Sequence, residues 1–306
     1  MMKSSAHLDE LLKAEHGSVN IQVVFCDIVK YSRRKSVVQK LLIETFTQLV
    51  GRALNEISQK YVAYAQQRET NFATDIIRVP TGDGIAVVFT FDGLQRIALD
   101  FAEMLLVCIH EHNQKSECEK YTKEGWCNCH SSFAVRIGIS EGKGIIYKDV
   151  NENYNVAGVA INLASRIMAL GDGMQILLSS EAYQNLIDMT NELGLEDAFL
   201  PFPDIEVKHG IKINVYQYRP SNKISVNGSE PEFLQLNRQF EEMRALMPGL
   251  GLGDTSPKSL ASKMETVKKM VGFLRELSSL APEHPPDLGR LSGIHALAEK
   301  QHRSED

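Results

Sequence analysis

The sequence predicts an α+β fold, a sheet layer with helices on one face, and three observations support it. Short apolar runs alternate with segments of helical period in the order β-α-β-β-α-β-α-β. Two of those runs flank Pro80-Thr81-Gly82-Asp83-Gly84, a turn that makes them a hairpin. No run approaches the roughly 18 consecutive apolar residues that a membrane span needs.

In chain order, Ile21 to Ile28 (IQVVFCDI) is a buried type of strand that ends on an acidic residue. From Val37 to Ile57, Val38, Leu41, Leu42, Thr45, Phe46, Leu49, Val50 and Leu54 recur at helical spacing on one face. Asp75 to Val79 and Ile85 to Phe91 are the hairpin strands, and Leu94 to His112 is a second long helix. Phe133 to Ser140 alternates as a strand, and Ile145 to Tyr147 is placed to pair with it. Val156 to Leu170 is a helix closed by Gly171 and Gly173, and Gln175 to Leu178 and Ile213 to Tyr218 are further strands. Composition shifts at Pro220, so Pro220 to Glu232 (PSNKISVNGSEPE) reads as a linker. Beyond it, Phe233, Leu236, Phe240, Met243 and Met247, then Leu260, Met264, Val267, Val271 and Leu274, mark a helical pair. A dimerising coiled coil is the alternative reading of that pair. The expected organisation is an N-terminal segment 1–16, a main domain 17–220, and a linker with a helical extension over 221–306.

The 306 residues are 43% hydrophobic and 24% charged, which excludes a disordered or collagen-like chain. A net charge of -6 argues against a nucleic-acid partner. Met1 to Gly17 lacks the apolar core of a signal peptide, and five cysteines are too few for a disulfide scaffold. A cytoplasmic protein without membrane contact is expected.

Several motifs fail on context. Gly138-Ile-Ser140-Glu-Gly142 resembles a nucleophile elbow but runs on into turn and strand rather than helix. Read as a phosphate loop, the same stretch is one residue short and has Gly144 where a Ser or Thr would hold magnesium. Gly249, Gly251 and Gly253 follow no strand. Cys118, Cys127, Cys129 and His130 fall in a polar insertion without paired C-x2-C spacing, so a solvated loop is expected, with zinc as the alternative. The basic run Lys30-Tyr31-Ser32-Arg33-Arg34-Lys35 follows Asp27 at a helix start, which suits an anion.

Asp27 ends an apolar strand and Asp83 sits at a hairpin tip. Together they are carboxylates at the ends of two potentially adjacent strands, a donor set for a pair of divalent cations. On the 156–170 helix, Asn162 and Arg166 are four residues apart and share a face. With Ile161, Leu163, Ala164, Ile167 and Met168 read as the buried face, such a polar pair is costly without a ligand or partner. Arg suits developing phosphate charge, and Asn can orient a sugar oxygen.

VVFCDIVKYS (Val23 to Ser32), PTGDGIAVVF (Pro80 to Phe89), VRIGISEGKG (Val135 to Gly144) and YNVAGVAINLASRIMALGDG (Tyr154 to Gly173) resemble the class III adenylate/guanylate cyclases, in order and spacing. The resemblance implies a ferredoxin-like antiparallel catalytic domain working as a homodimer with interfacial sites. It implies that Asp27, Asp83 and the Ile28 carbonyl bind two Mg2+ or Mn2+ ions. It implies that Asn162 and Arg166 of the opposite protomer position the ribose and stabilise the transition state.

Two positions depart from the family. Val79 stands where adenylate cyclases carry a base-reading Lys, and Asn155 where they carry an Asp. By strand alternation Val79 shares the face of Asp83 and Arg78 points away, unless Pro80 introduces a bulge. Asn155 offers donors and an acceptor, so it can pair with uracil, cytosine or, by flipping, adenine. A cyclase with the catalytic set intact and this pair replaced resembles the Pycsar pyrimidine cyclases of bacterial phage defence. That likeness implies UTP or CTP as substrate, with UTP favoured by family frequency, and a cyclic-nucleotide signal to a separate effector. Lys30, Arg33, Arg34, Lys208 and Lys212 are the candidates for holding the triphosphate.

Overall fold

The computed structural model describes residues 5–13, 18–115, 118–128, 132–190, 192–207, 210–236 and 238. The chain divides into two compact units, Met1–Pro231 and Glu232–Asp306. The first begins with a short helix, α1 (Ala6–Leu12), capped by the Ser5 hydroxyl, which accepts from the Leu8 N–H. Strand β1 (Ser18–Ile28), helix α2 (Ser36–Lys60) and the short helices α3 (Val62–Gln67) and α4 (Phe72–Asp75) lead to the hairpin β2 (Ile77–Pro80) and β3 (Gly84–Phe89). Helices α5 (Ile97–Asn113) and α6 (Glu119–Glu124) precede β4 (Val135–Lys148), β5 (Tyr154–Ala157) and α7 (Val159–Leu170). Strand β6 (Ile176–Ser179), α8 (Ser180–Met189), β7 (Phe199–Val207) and β8 (Ile211–Tyr218) complete the sheet.

The sheet order is β2-β3-β1-β4-β6-β8-β7, with β5 paired to β4 off that path. Only the β4–β6 pair is parallel among the described ladders. The α+β class and the antiparallel-dominated sheet are therefore as expected. The helices, however, occupy both faces. Along β1, Val24, Cys26 and Ile28 face a core filled by α2, α5 and α8, whereas Ile21 and Val23 face a second core with α1 and α7. Glycine in β4 opens that second face. A Cβ at Gly138 would lie 2.3 Å from the Ala164 carbonyl oxygen and 2.4 Å from the Met168 nitrogen, so the α7 backbone rests directly on the strand.

Three local expectations are also corrected. The segments 133–140 and 145–147 do not pair with each other; both lie in β4, whose register against β1 runs unbroken from Val135 to Ile145. Helix α7 begins at Val159, because Tyr154–Ala157 pairs with β4 as β5. Residues 221–231 are not a bare linker. The Asn227 N–H donates to the Met174 carbonyl at 2.8 Å, and Gln217 Nε2 donates to the Ser229 carbonyl at 2.6 Å, which ties the segment to β8 and the start of β6.

In the second unit, residues 232–236 and 238 have helical backbone. The helical pair expected further on lies outside the described residues. No helix among the described residues is long and apolar enough to cross a membrane.

Candidate active site

The end of β1 and the β2–β3 turn are held together by backbone. The Ile28 N–H donates to the Asp83 carbonyl at 3.3 Å, and within the turn the Thr81 N–H donates to the Gly84 carbonyl at 3.0 Å. Gly82, at φ +93°, occupies the first position of a two-residue loop, where a tight hairpin favours glycine. Gly84 lies opposite Asp27, and a Cβ there would meet the Cys26 carbonyl at 2.4 Å. Asp27 and Asp83 are thus carried on touching backbone. Ile28 is buried at 2% exposure, and its backbone carbonyl is the only oxygen it has to offer a ligand.

Asp27 also lies opposite Arg136 of β4. The Arg136 guanidinium donates to Asp27 Oδ2 from Nε at 3.1 Å and from NH2 at 3.0 Å. Its third nitrogen reaches the Ala169 carbonyl in the last turn of α7 at 3.5 Å. The sequence reading did not single out Arg136, although it stands second in VRIGISEGKG. Between Asp27 and the core, the Cys26 thiol is held protonated well above its ordinary range by burial and by the Asp27 charge.

Helix α7 turns its other side outward. Asn162 is exposed and Arg166 half-buried, and neither side chain has a hydrogen-bond partner among the described residues. The buried positions are Ala160, Ala164, Ile167, Met168 and Leu170; Ile161 and Leu163 are half-buried. The polar pair is therefore not packed into the chain's own core, and the burial cost expected of it does not arise. It shares the outward side with Val159, which is 75% exposed.

The base-reading positions lie on β2 and β5. Val79 pairs with Ala86 in a register that continues through Pro80, so no bulge intervenes, and Arg78 pairs with Val87 and is exposed. Val79 packs against the second core, the one that holds Ile77, Ala86 and Val88. Asn155 pairs with Tyr147, and its Oδ1 accepts the Val156 N–H at 2.7 Å.

Residues 14–218 match the family model for the adenylate and guanylate cyclase catalytic domain. The chain belongs to that family. Comparison with curated proteins gives no match. Among solved structures, a bacterial light-regulated adenylyl cyclase is 16% identical, with a TM-score of 0.51 over 77% of this chain and 63% of that one. The guanylate cyclase domain of RhGC from Catenaria anguillulae, in complex with GTP, is 20% identical, with a TM-score of 0.42 over 66% of this chain and 98% of that one. An adenylate/guanylate cyclase/hydrolase from Silicibacter pomeroyi is 20% identical, with a TM-score of 0.47 over 67% and 98%.

Within this cyclase domain the triphosphate candidates separate. Arg33 is exposed in the turn after β1. Lys30 donates from Nζ to the Glu124 carbonyl at 2.8 Å, at the C-terminal end of α6. Arg34 is withdrawn from the set: it is 4% exposed and donates to the Ser132 and Cys127 carbonyls at 2.9 and 3.4 Å. Burial lowers its pKa, and two of its nitrogens have no partner among the described residues. It seats the 114–132 insertion rather than facing solvent. Lys212 is exposed on β8 opposite Glu206, in the strand pair at the sheet edge remote from β2. Lys208 lies outside the described residues.

That insertion is more than a solvated loop, since it contains α6 and buries Cys127 completely. Cys118 caps α6, its sulfur accepting from the Tyr121 N–H at 3.4 Å. Cys129 and His130 lie outside the described residues. Among the described residues no three His, Cys, Asp or Glu side chains gather as a metal cluster. The oxygen donors at the end of β1, two carboxylates with a backbone carbonyl, do fit hard divalent cations, which combine protein oxygens with water and substrate phosphate.

Proposed function

We propose that this cyclase domain converts UTP to 3′,5′-cyclic UMP and pyrophosphate at sites shared between two copies of the chain. The observation that carries the base assignment is the Asn155 amide. Its oxygen accepts the Val156 N–H at 2.7 Å, and in this orientation Nδ2 is the group offered to a ligand. A donor suits the O4 carbonyl of uracil and opposes the exocyclic amine of cytosine or adenine. Val79 contributes an aliphatic wall and no hydrogen bond. The same donor suits the O6 carbonyl of guanine, so GTP is the second reading.

Asp27, Asp83 and the Ile28 carbonyl are the groups to hold Mn2+ or Mg2+. Such ions, when bound, supply charge that polarises the α-phosphate and acidifies the ribose 3′-hydroxyl. Arg136 neutralises Asp27 within the chain and keeps its carboxylate oriented at the end of β1. Arg166 donates to the phosphate oxygens as their charge grows, and Asn162 orients the ribose. Lys30 and Arg33, with Lys212 from β8 and Lys208, remain the candidates for the triphosphate tail. The second copy is argued from exposure. Val159, Val150, Ile145 and Tyr147, at the start of α7 and on the β4–β5 hairpin, are 75%, 98%, 48% and 40% exposed. Val159 shares the outward side of α7 with Asn162 and Arg166. The replaced base-reading pair supports a signalling product of the kind used in bacterial phage defence, delivered to a separate effector.

Offering all four nucleoside triphosphates with Mn2+ and identifying products by mass tests the reading. Cyclic UMP should dominate. Mainly cyclic AMP would overturn the base assignment and leave the cyclase intact.

A further inference from the structure

The N-terminal helix α1 is bonded to β5 and to the segment that enters β2, the two strands that carry the base-reading positions. At its start, Ser5 Oγ donates to Asp75 Oδ1 at 2.7 Å, in a buried bond two residues before β2. Asp75 is itself 4% exposed, and its other oxygen accepts the Asn71 N–H at 2.7 Å, so the entry to β2 is held from both sides. Two residues on, His7 Nε2 is 2.9 Å from Thr90 Oγ1, just past β3. Asp9 Oδ1 accepts the Tyr154 hydroxyl at 2.7 Å, on the residue immediately before Asn155. Lys148, at the end of β4, completes this corner. Its Nζ lies 3.9 Å from Asp9 Oδ1 and 4.9 Å from the centre of the Tyr154 ring. Leu8 is fully buried in the second core, and Leu11, Leu12, Val79 and Tyr154 pack against the same cluster.

We propose that α1 is a positioning element for nucleotide selection: it spans β2 and β5 and fixes Val79 and Asn155 relative to each other. Asp9 and Tyr154 are its positioning residues; neither touches the base. Strand β5 has four residues and, among the described ladders, pairs only with β4, while Val156 anchors it in the second core. The bond from Asp9 to Tyr154 is the side-chain tie that α1 makes to this strand, one residue from Asn155. This inference rests on the assignment of Asn155 and Val79 to the base.

The test compares full-length Asp9→Leu, Asp9→Asn and Tyr154→Phe dimers with the unmodified protein, using the ratio of products from an equimolar mixture of the four nucleotides. Asp9→Leu removes the nearer acceptor at similar volume and leaves the Ser5 carbonyl at 3.3 Å, whereas Tyr154→Phe removes the donor oxygen from both. Each should reduce the preference for the favoured nucleotide by about fivefold to tenfold, as expected for one partly buried hydrogen bond, and raise KM more than it lowers kcat. Asp9→Asn keeps an oxygen that can accept from Tyr154 and should restore the ratio. The partly exposed pair with Lys148 contributes little by comparison. If Tyr154→Phe and Asp9→Leu fold, and only their thermal stability falls while ratio and KM stay unchanged, α1 is merely structural and the proposal is overturned. An unmodified protein that cyclises none of the four nucleotides would instead overturn the catalytic reading beneath it.

Discussion

The acidic end of β1 and the outward face of α7 are built in opposite ways. At the first, the Asp27 carboxylate is held by Arg136, the Asp83 backbone carbonyl accepts from Ile28, and the turn is closed on itself. At the second, Asn162 and Arg166 have none among the described residues, and an apolar residue beside them is largely exposed. The difference teaches how the work is divided. On the proposed reading, one chain preorganises the cation-binding half and offers the half for sugar and transition state to another.

Alanine at Asp27 or Asp83 should break the first region outright. Cyclisation should fall below detection in a folded dimer, because alanine supplies no charge to hold a cation. Near-normal turnover by either variant, measured as cyclic nucleotide formed per dimer, would remove the metal-binding role. Arg166→Ala should leave the first region untouched and lower kcat by about 10²–10³, the range for one preorganised donor to transition-state charge. A change confined to KM would make Arg166 a ground-state contact instead. The smallest effect sharpens the join between the two regions. Gly138→Ala should destabilise the fold by about 1–3 kcal/mol, because the new carbon overlaps α7 backbone that has little room to shift. Chemical denaturation that finds no loss would mean α7 is less tightly seated than its glycine contact implies.

Much of this was legible because the informative stretches are local. Asp27 ends a run of apolar residues, Asp83 sits between two glycines, and Asn162 and Arg166 stand at helical spacing, so each was located without any long-range contact. What failed needed partners distant in the chain. Arg136 became part of the site only through the β1–β4 register, 109 residues from Asp27 in sequence. Arg34 read as one of a solvated basic run, yet an insertion almost a hundred residues later covers it. The outward side of α7 was misjudged because Ile161 and Leu163 look like core residues, and only the packing of Ala160, Ala164 and Ile167 shows which side is buried. Strand β7 went unread because Pro201 and Pro203 interrupt it, which an edge strand tolerates.

The central claim is that one chain supplies Asp27 and Asp83 while another supplies Asn162 and Arg166. Mixing inactive Asp27→Ala protein with nearly inactive Arg166→Ala protein, under conditions where subunit exchange is followed by mass, tests it directly. A two-fold dimer with one substitution in each chain has one site carrying both changes and one carrying neither. Random exchange should then restore about a quarter of unmodified turnover, since half the dimers are mixed and half of their sites are whole. Demonstrated exchange with no gain over the separate variants would contradict shared sites and place the whole of the chemistry within a single chain.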